Sequence, residues 1–262
     1  MIVKRTADDG SCEWARGLRR VTRSRSDART VYDRTSRWYR FVEEPFERRA
    51  RTAALDLLRV RPGERVLELG CGAGGALVSL TRAVGPAGRV VGLDLSPGMI
   101  RQAAARLGRA GFADRAVLLV GDATSVPRPD VSFDALFMAF TLELFDTPEI
   151  PLVLAECRRL LRPGGRLAVV SLSRETPVGW PTRLYERLHD RFQATLDCRP
   201  IHPRLALEAA GFAQAQSRTM PLWGLRAEAV VAVRPSQSGS SAGAESSPLA
   251  GPRRARRPND AP

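Results

Sequence analysis

The sequence predicts an α/β fold: a doubly wound, seven-stranded, mostly parallel sheet with an antiparallel last strand and an N-terminal helical extension. Three observations predict it. Between residues 61 and 234 short apolar runs alternate with amphipathic stretches of helical period. Strands separated by helices pair in parallel through right-handed crossovers. Beyond residue 211 two apolar runs follow with only a short link between them, which brings antiparallel pairing at the end of the chain.

Each element has its own signal. Val31, Tyr32, Thr35, Trp38, Tyr39 and Val42 recur at three- and four-residue spacing and make one apolar helix face. Pro45 breaks or restarts that helix, and Phe46, Ala50, Ala53, Ala54, Leu57 and Leu58 carry the next. Together, residues 28–60 read as a helical lid or extension. Strands are expected at 65–69, 89–94, 116–121, 133–140, 166–173, 213–220 and 227–233. Helices are expected at 74–84, 97–109, 148–161, 180–195 and 204–210. Ser96 is placed to cap the 97–109 helix, with Pro97 in its first turn. Pro163-Gly164-Gly165 reads as the turn before the fifth strand. The domain is thus expected over 28–234, with its core over 61–234. The ends, 1–27 and 235–262, read as disordered tails because they hold too few apolar residues to offset ordering entropy.

Composition narrows the function classes. Hydrophobic residues make up 44% of the 262 and charged residues 26%, which excludes a wholly disordered or fibrous chain. No apolar run reaches the ~18 residues of a membrane span, and MIVKRTADDGSCEW lacks a secretory apolar stretch. A cytoplasmic location is the expectation. Cys12, Cys71, Cys157 and Cys198 are scattered without C-x-x-C spacing and only two histidines are present, so no metal site is expected. The net charge of +13 resembles a nucleic-acid signal until it is located. Lys4 is the only lysine, and residues 38–234 hold 27 basic and 21 acidic residues, a net of only +6. Basic tails on a mildly basic domain argue against nucleic acid as a partner.

The most informative segment is Val66-Leu67-Glu68-Leu69-Gly70-Cys71-Gly72-Ala73-Gly74-Gly75. A strand running into glycines and then a helix lets the backbone approach a nucleotide-like ligand beyond the strand ends. Gly70, Gly72 and Gly75 also satisfy G-x-G-x-x-G, which keeps a dinucleotide-binding oxidoreductase in view. Asp94, ending the second strand, can accept ribose hydroxyl hydrogens in either case. Asp122, at the end of the third strand, can accept from an adenine amino group. Glu68 would repel a pyrophosphate but complement an ammonium. A ligand with an adenosine end and a cationic methionine end suits all three.

In order, VLELGCGAGG, VVGLDLSPGMI, GDATSVP, FDALFMAFTLELF and LRPGGRLAVVS resemble the class I S-adenosylmethionine-dependent methyltransferases. Within them the chain is most similar to the ubiquinone/menaquinone-biosynthesis C-methyltransferases, although residues 174–200 are shorter than those enzymes' insert. The resemblance implies a Rossmann-like fold and S-adenosylmethionine as cofactor. It also implies that Gly70, Cys71, Gly72 and Ala73 line the methionine portion and that Asp94 holds the ribose. Leu95 and Met99 would border the adenine, Asp122 and Ala123 would bind it, and Ala139 and Phe140 would lie beside the cofactor.

Methyl transfer from a sulfonium needs collinear placement more than a protein nucleophile. The expected acceptor is a small aromatic or lipophilic, quinol- or phenol-like molecule. For acceptors that must lose a proton, His189, His202, Glu143 and Tyr185 are the candidate bases, with Tyr185 and His189 one helical turn apart. The competing readings are an RNA or protein methyltransferase and a non-catalytic regulator that binds S-adenosylmethionine.

Overall fold

The computed structural model describes residues 13–21, 30, 44–174, 177–191, 198–222 and 224–236. Its strands are β1 (Arg65–Leu69), β2 (Arg89–Asp94), β3 (Ala116–Val120), β4 (Phe133–Ala139), β5 (Leu161–Ser173), β6 (Ala213–Leu222) and β7 (Leu225–Val233). The helices are α1 (Glu44–Leu58), α2 (Leu77–Val84), α3 (Pro97–Arg109), α4 (Ile150–Leu160), α5 (Trp180–Arg191) and α6 (Pro203–Ala209). One sheet runs in the order β3-β2-β1-β4-β5-β7-β6. The first five strands pair in parallel, and β7 runs antiparallel between β5 and β6. The expected fold class is the one observed.

Strand order reverses between β1 and β4, and at such a switch point the crossover helices leave a crevice beyond the strand carboxyl ends. Alternation along the strands sorts side chains into two apolar layers. Leu67, Leu69, Leu136, Met138, Leu167 and Val169 pack with Ile150, Val153 and Leu154 of α4 and Ala206 and Leu207 of α6. Val66, Ala135, Phe137, Ala168 and Val170 face the other way, onto α1, α2 and α3. Helix α1 contributes the fully buried Ala50, Ala54 and Leu58. It is therefore a packed layer over this part of the expected lid; residues 31–43, which carry the aromatic stripe, lie outside the described residues.

Ser96 caps α3 as expected, its hydroxyl accepting the Met99 N–H at 3.1 Å, with Pro97 in the first turn. Two element starts differ from the sequence expectation by three residues or more. Helix α2 begins at Leu77, because residues 74–76 are spent on the glycine turn. Strand β5 begins at Leu161, pairing with Phe133 before the Pro163-Gly164-Gly165 turn bulges out and pairing resumes at Arg166. The bulge is held by Gly164 N–H to the Arg234 carbonyl and Arg234 N–H to that of Gly165, both at 2.8 Å.

The expectation of a disordered 1–27 is corrected over residues 13–21. Trp14 is 7% exposed and packs into the layer under α4 and α6. The Arg20 guanidinium donates to both Asp146 carboxylate oxygens at 2.7–3.0 Å, and Val21 N–H adds a third partner at 3.0 Å. One buried indole and one bidentate ion pair hold a segment whose average composition is polar. Residues 1–12 and 22–27, and the tail from 237, lie outside the described residues.

Candidate functional site

The carboxyl ends of β1, β2 and β3 are tied together by backbone bonds. Cys71 N–H donates to the Leu93 carbonyl at 3.0 Å, joining the glycine loop to β2, and Gly121 N–H donates to that of Asp94 at 2.9 Å, joining β3. The Asp94 carboxylate accepts Gly72 N–H on Oδ2 at 2.8 Å and Ser96 N–H on Oδ1 at 2.9 Å. Leu95 and Met99 follow, Leu95 half-buried and Met99 buried at the start of α3. At the end of β3, Asp122 Oδ1 accepts both the N–H and the hydroxyl of Thr124 at 2.8 Å, which closes a turn beside buried Ala123.

Gly70 shows why the loop requires glycine. Its φ is +65°, and a Cβ there would overlap the Thr141 side chain. Thr141 is held in place as its hydroxyl donates to the Ala139 carbonyl at 3.0 Å. Gly70→Ala is expected to cost about 2–4 kcal/mol, from left-handed strain plus overpacking. Urea unfolding checks this, and adding Thr141→Ala should restore part of the loss; no restoration would remove the packing argument. Next to this loop Phe140 also holds a positive φ, +51°, while its N–H donates to the Val170 carbonyl at 2.8 Å. A non-glycine residue in that region stores strain and is common at ligand sites.

A pocket opens at the glycine loop, lined by Glu68, Gly70, Cys71, Gly72, Ala73 and Ala139 together with Glu47, Arg51 and Arg106. Half of the expected set thus meets in one cavity. Asp94, Leu95, Met99, Asp122, Ala123 and Phe140 stand outside it, although Gly72 bridges the loop to Asp94.

The electrostatics are set by burial. Glu68 is 3% exposed, and its Oε2 has no hydrogen-bond partner among the described residues. Desolvation lifts its carboxyl to about 8 against the pull of Arg51; Asp94 adds to the rise, while Arg106 opposes it. Burial likewise pushes the Cys71 thiol well up, reinforced by Glu68 and Asp94. Arg51 lies across the glycine loop so closely that a Cβ on Gly75 would come within 2.7 Å of its guanidinium carbon. The pocket therefore sets carboxyl groups beside guanidiniums, a match for a ligand carrying both an ammonium and a carboxylate.

Arg51, Arg106 and Glu47 were not expected from the sequence. Among 40 arginines no spacing marks two of them, but Arg51 follows Ala50 on the buried side of α1, an unusual place for a charge. The candidate bases are dispersed. Tyr185 donates its hydroxyl to the Cys198 carbonyl at 2.7 Å, and His189 is buried on α5. His202 precedes α6, its pKa lowered by burial and by Arg174. Glu143 is buried behind β5, accepting Leu172 N–H at 3.2 Å. None of the four lines the glycine-loop pocket.

Residues 66–165 match the family model described as a methyltransferase domain. The chain is 37% identical over 139 residues to nocamycin O-methyltransferase of Saccharothrix syringae, covering 53% of this chain and 49% of that protein. It is 33% identical over 114 residues to demethylmenaquinone methyltransferase of Symbiobacterium thermophilum, covering 44% of this chain and 45% of that one. The chain thus spans about half the length of these curated relatives. A solved S-adenosylmethionine-dependent methyltransferase from Aquifex aeolicus shares the fold with a TM-score of 0.53 at 24% identity, over 81% of this chain and 99% of that chain.

Proposed function

We propose that this chain, which carries a class I S-adenosylmethionine-dependent methyltransferase domain, moves a methyl group to a small aromatic or lipophilic acceptor of quinol or phenol type. The observation that supports the reading best is the orphaned, buried Glu68 oxygen beneath the glycine loop, with Arg51 and Arg106 across the pocket. A buried acid there disfavours a pyrophosphate and suits the ammonium of a methionine moiety, while the arginines suit its carboxylate. The names of the nocamycin and demethylmenaquinone enzymes support a small-molecule acceptor.

When bound, S-adenosylmethionine supplies an electrophilic methyl group on a sulfonium. The chain's own residues position and shield it. In this reading, Gly70, Cys71, Gly72 and Ala73 let the backbone border the methionine end. Asp94 takes the ribose hydroxyls, Leu95 and Met99 flank the adenine, and Asp122 and Ala123 hold its edge. Ala139 and Phe140 form the apolar wall beside the reacting group and exclude water. Keeping Cys71 as a neutral thiol removes a competing nucleophile from the pocket. No side chain is assigned as a base, so the proton that a phenol or quinol must lose passes to water, and the chain's contribution is placement, which can supply several kcal/mol. The location proposed is cytoplasmic, and no described helix is long and apolar enough to cross a membrane.

Asp94→Ala is expected to weaken cofactor binding by about 1–3 kcal/mol, the value of a hydrogen bond to a charged group. Calorimetric titration with S-adenosylmethionine reads this directly, and unchanged affinity would take Asp94 out of the site. Methyl release assayed on a panel of quinols and phenols then tests the acceptor class. Binding without turnover across the panel would leave only the cofactor half of the reading.

A further inference from the structure

Helix α5 has an outward face that the described residues leave uncovered. Thr182, Glu186 and His189 point inward and are buried, and Tyr185 packs against the apolar layer that contains Phe140 and Cys71. On the opposite side Trp180 is 76% exposed, Leu184 49% and Leu188 42%. These residues follow one another at four-residue steps and form a single apolar row along the ~18 Å helix. Arg183, Arg187 and Arg191 form a parallel row one position before each turn, and all three are exposed.

The charges on this helix are sorted. Its two acids are both engaged by arginines from elsewhere: Glu186 accepts Arg174 Nε at 2.8 Å, and Asp190 lies 3.4 Å from Arg19. None of the three outward arginines has a salt bridge among the described residues. An apolar row ending in tryptophan, flanked by unneutralised arginines, has the composition of a helix that lies in the interface of an anionic bilayer.

We propose that α5 docks the protein on membrane surfaces bearing anionic headgroups, with Trp180, Leu184 and Leu188 in the headgroup–acyl boundary and Arg183, Arg187 and Arg191 on the lipid phosphates. The positive outward row selects a lipid surface over a neutral protein groove, and the tryptophan at the helix start suits the interface. The docking surface stands on α5 itself; its use, delivering a lipophilic acceptor beneath a helix whose Tyr185 packs on the apolar layer of the sheet, rests on the proposed function.

Vesicle sedimentation of the full chain tests the surface, with vesicles of phosphatidylcholine alone and of phosphatidylcholine mixed with roughly one-third phosphatidylglycerol. Expected is binding to the anionic vesicles at least ~10-fold tighter than to the neutral ones, reduced at high salt, with a blue shift of tryptophan emission. Trp180→Ser/Leu184→Ser/Leu188→Ser should weaken it by ~10-fold or more. Arg183→Gln/Arg187→Gln/Arg191→Gln should weaken it by about 5-fold per arginine, even though the arginines of 253–257 remain. Three results would each overturn the proposal: no preference for anionic vesicles, undiminished binding by either triple variant, or a dimer in sedimentation that the serine variant dissolves. Calorimetry with S-adenosylmethionine, without vesicles, reports folding and cofactor binding in every variant. Stripe-dependent docking in a protein that binds no S-adenosylmethionine would leave this proposal standing while the methyltransferase reading falls.

Discussion

Arg199→Ala is expected to destabilise the protein by about 3–5 kcal/mol, the range for removing one partner from a buried ionic network. Arg199 is 1% exposed. Its guanidinium donates to the Glu143 carbonyl at 3.3 Å, the Phe145 carbonyl at 2.7 Å, the Arg19 carbonyl at 2.5 Å and the Thr147 hydroxyl at 3.2 Å. One side chain thereby fastens the 13–21 segment and the loop after β4 to the start of α6. Burial lowers its pKa to about 10, with Asp146 and Glu143 opposing the drop, so it stays charged at neutral pH. Truncation takes this donor from the Arg19, Glu143 and Phe145 carbonyls and removes a buried positive charge from the field of Asp146 and Glu143. Urea unfolding should show the lower midpoint. Arg199→Lys should recover less than half, because an ammonium cannot span four acceptors in a planar fork. Full recovery by lysine would reduce the network to its charge alone.

The second large effect concerns Glu68 and carries a pH sign. Its folded-state pKa of about 8 stands above the ordinary carboxyl value of 4.5, so between those values the folded state holds a proton that the unfolded state has released. Stability must then fall as pH rises from about 4.5 to 8, with the penalty absent below and complete above. Glu68→Gln removes the penalty. The variant should be more stable than the parent by about 3 kcal/mol at pH 7, with the difference closing toward pH 4.5. Thermal or urea unfolding across that range checks it; a constant difference would mean that the carboxyl is not titrating. If the proposed cofactor places its ammonium beside Glu68, binding is expected to release a proton near pH 7, because the ammonium favours the ionised carboxyl. Calorimetry in buffers of different ionisation enthalpy measures that release. In Glu68→Gln it should vanish and affinity should drop.

How far the site is legible in the sequence depends on whether a signal is local. The glycines at 70, 72 and 74 follow an apolar strand, and each has a positive φ. Ser96-Pro97 marks the start of α3 because a hydroxyl cap and a fixed φ act within a few residues. The capping box formed by Asp146 and Glu149 was equally readable, and it explains why a 3-10 turn at Thr147–Glu149 precedes α4. Arg51 and Arg106 were not legible, since their role comes from helices α1 and α3 meeting over one loop. Nor could composition reveal that Trp14 and Arg20 tie down a polar N-terminal segment.

By itself the sequence determined the alternation of strands and helices, the glycine turn after β1, and the acids at the ends of β1, β2 and β3. Those features rest on side-chain period, backbone φ and caps, which act over a few residues. Only the tertiary structure decided the reversal of strand order between β1 and β4, the arginines that face Glu68, the isolation of Arg199 from solvent and the outward turn of the Trp180 row. Each depends on residues tens of positions apart sharing a surface. Desolvation and Coulomb coupling act through space, and the linear order of the chain does not encode that distance directly.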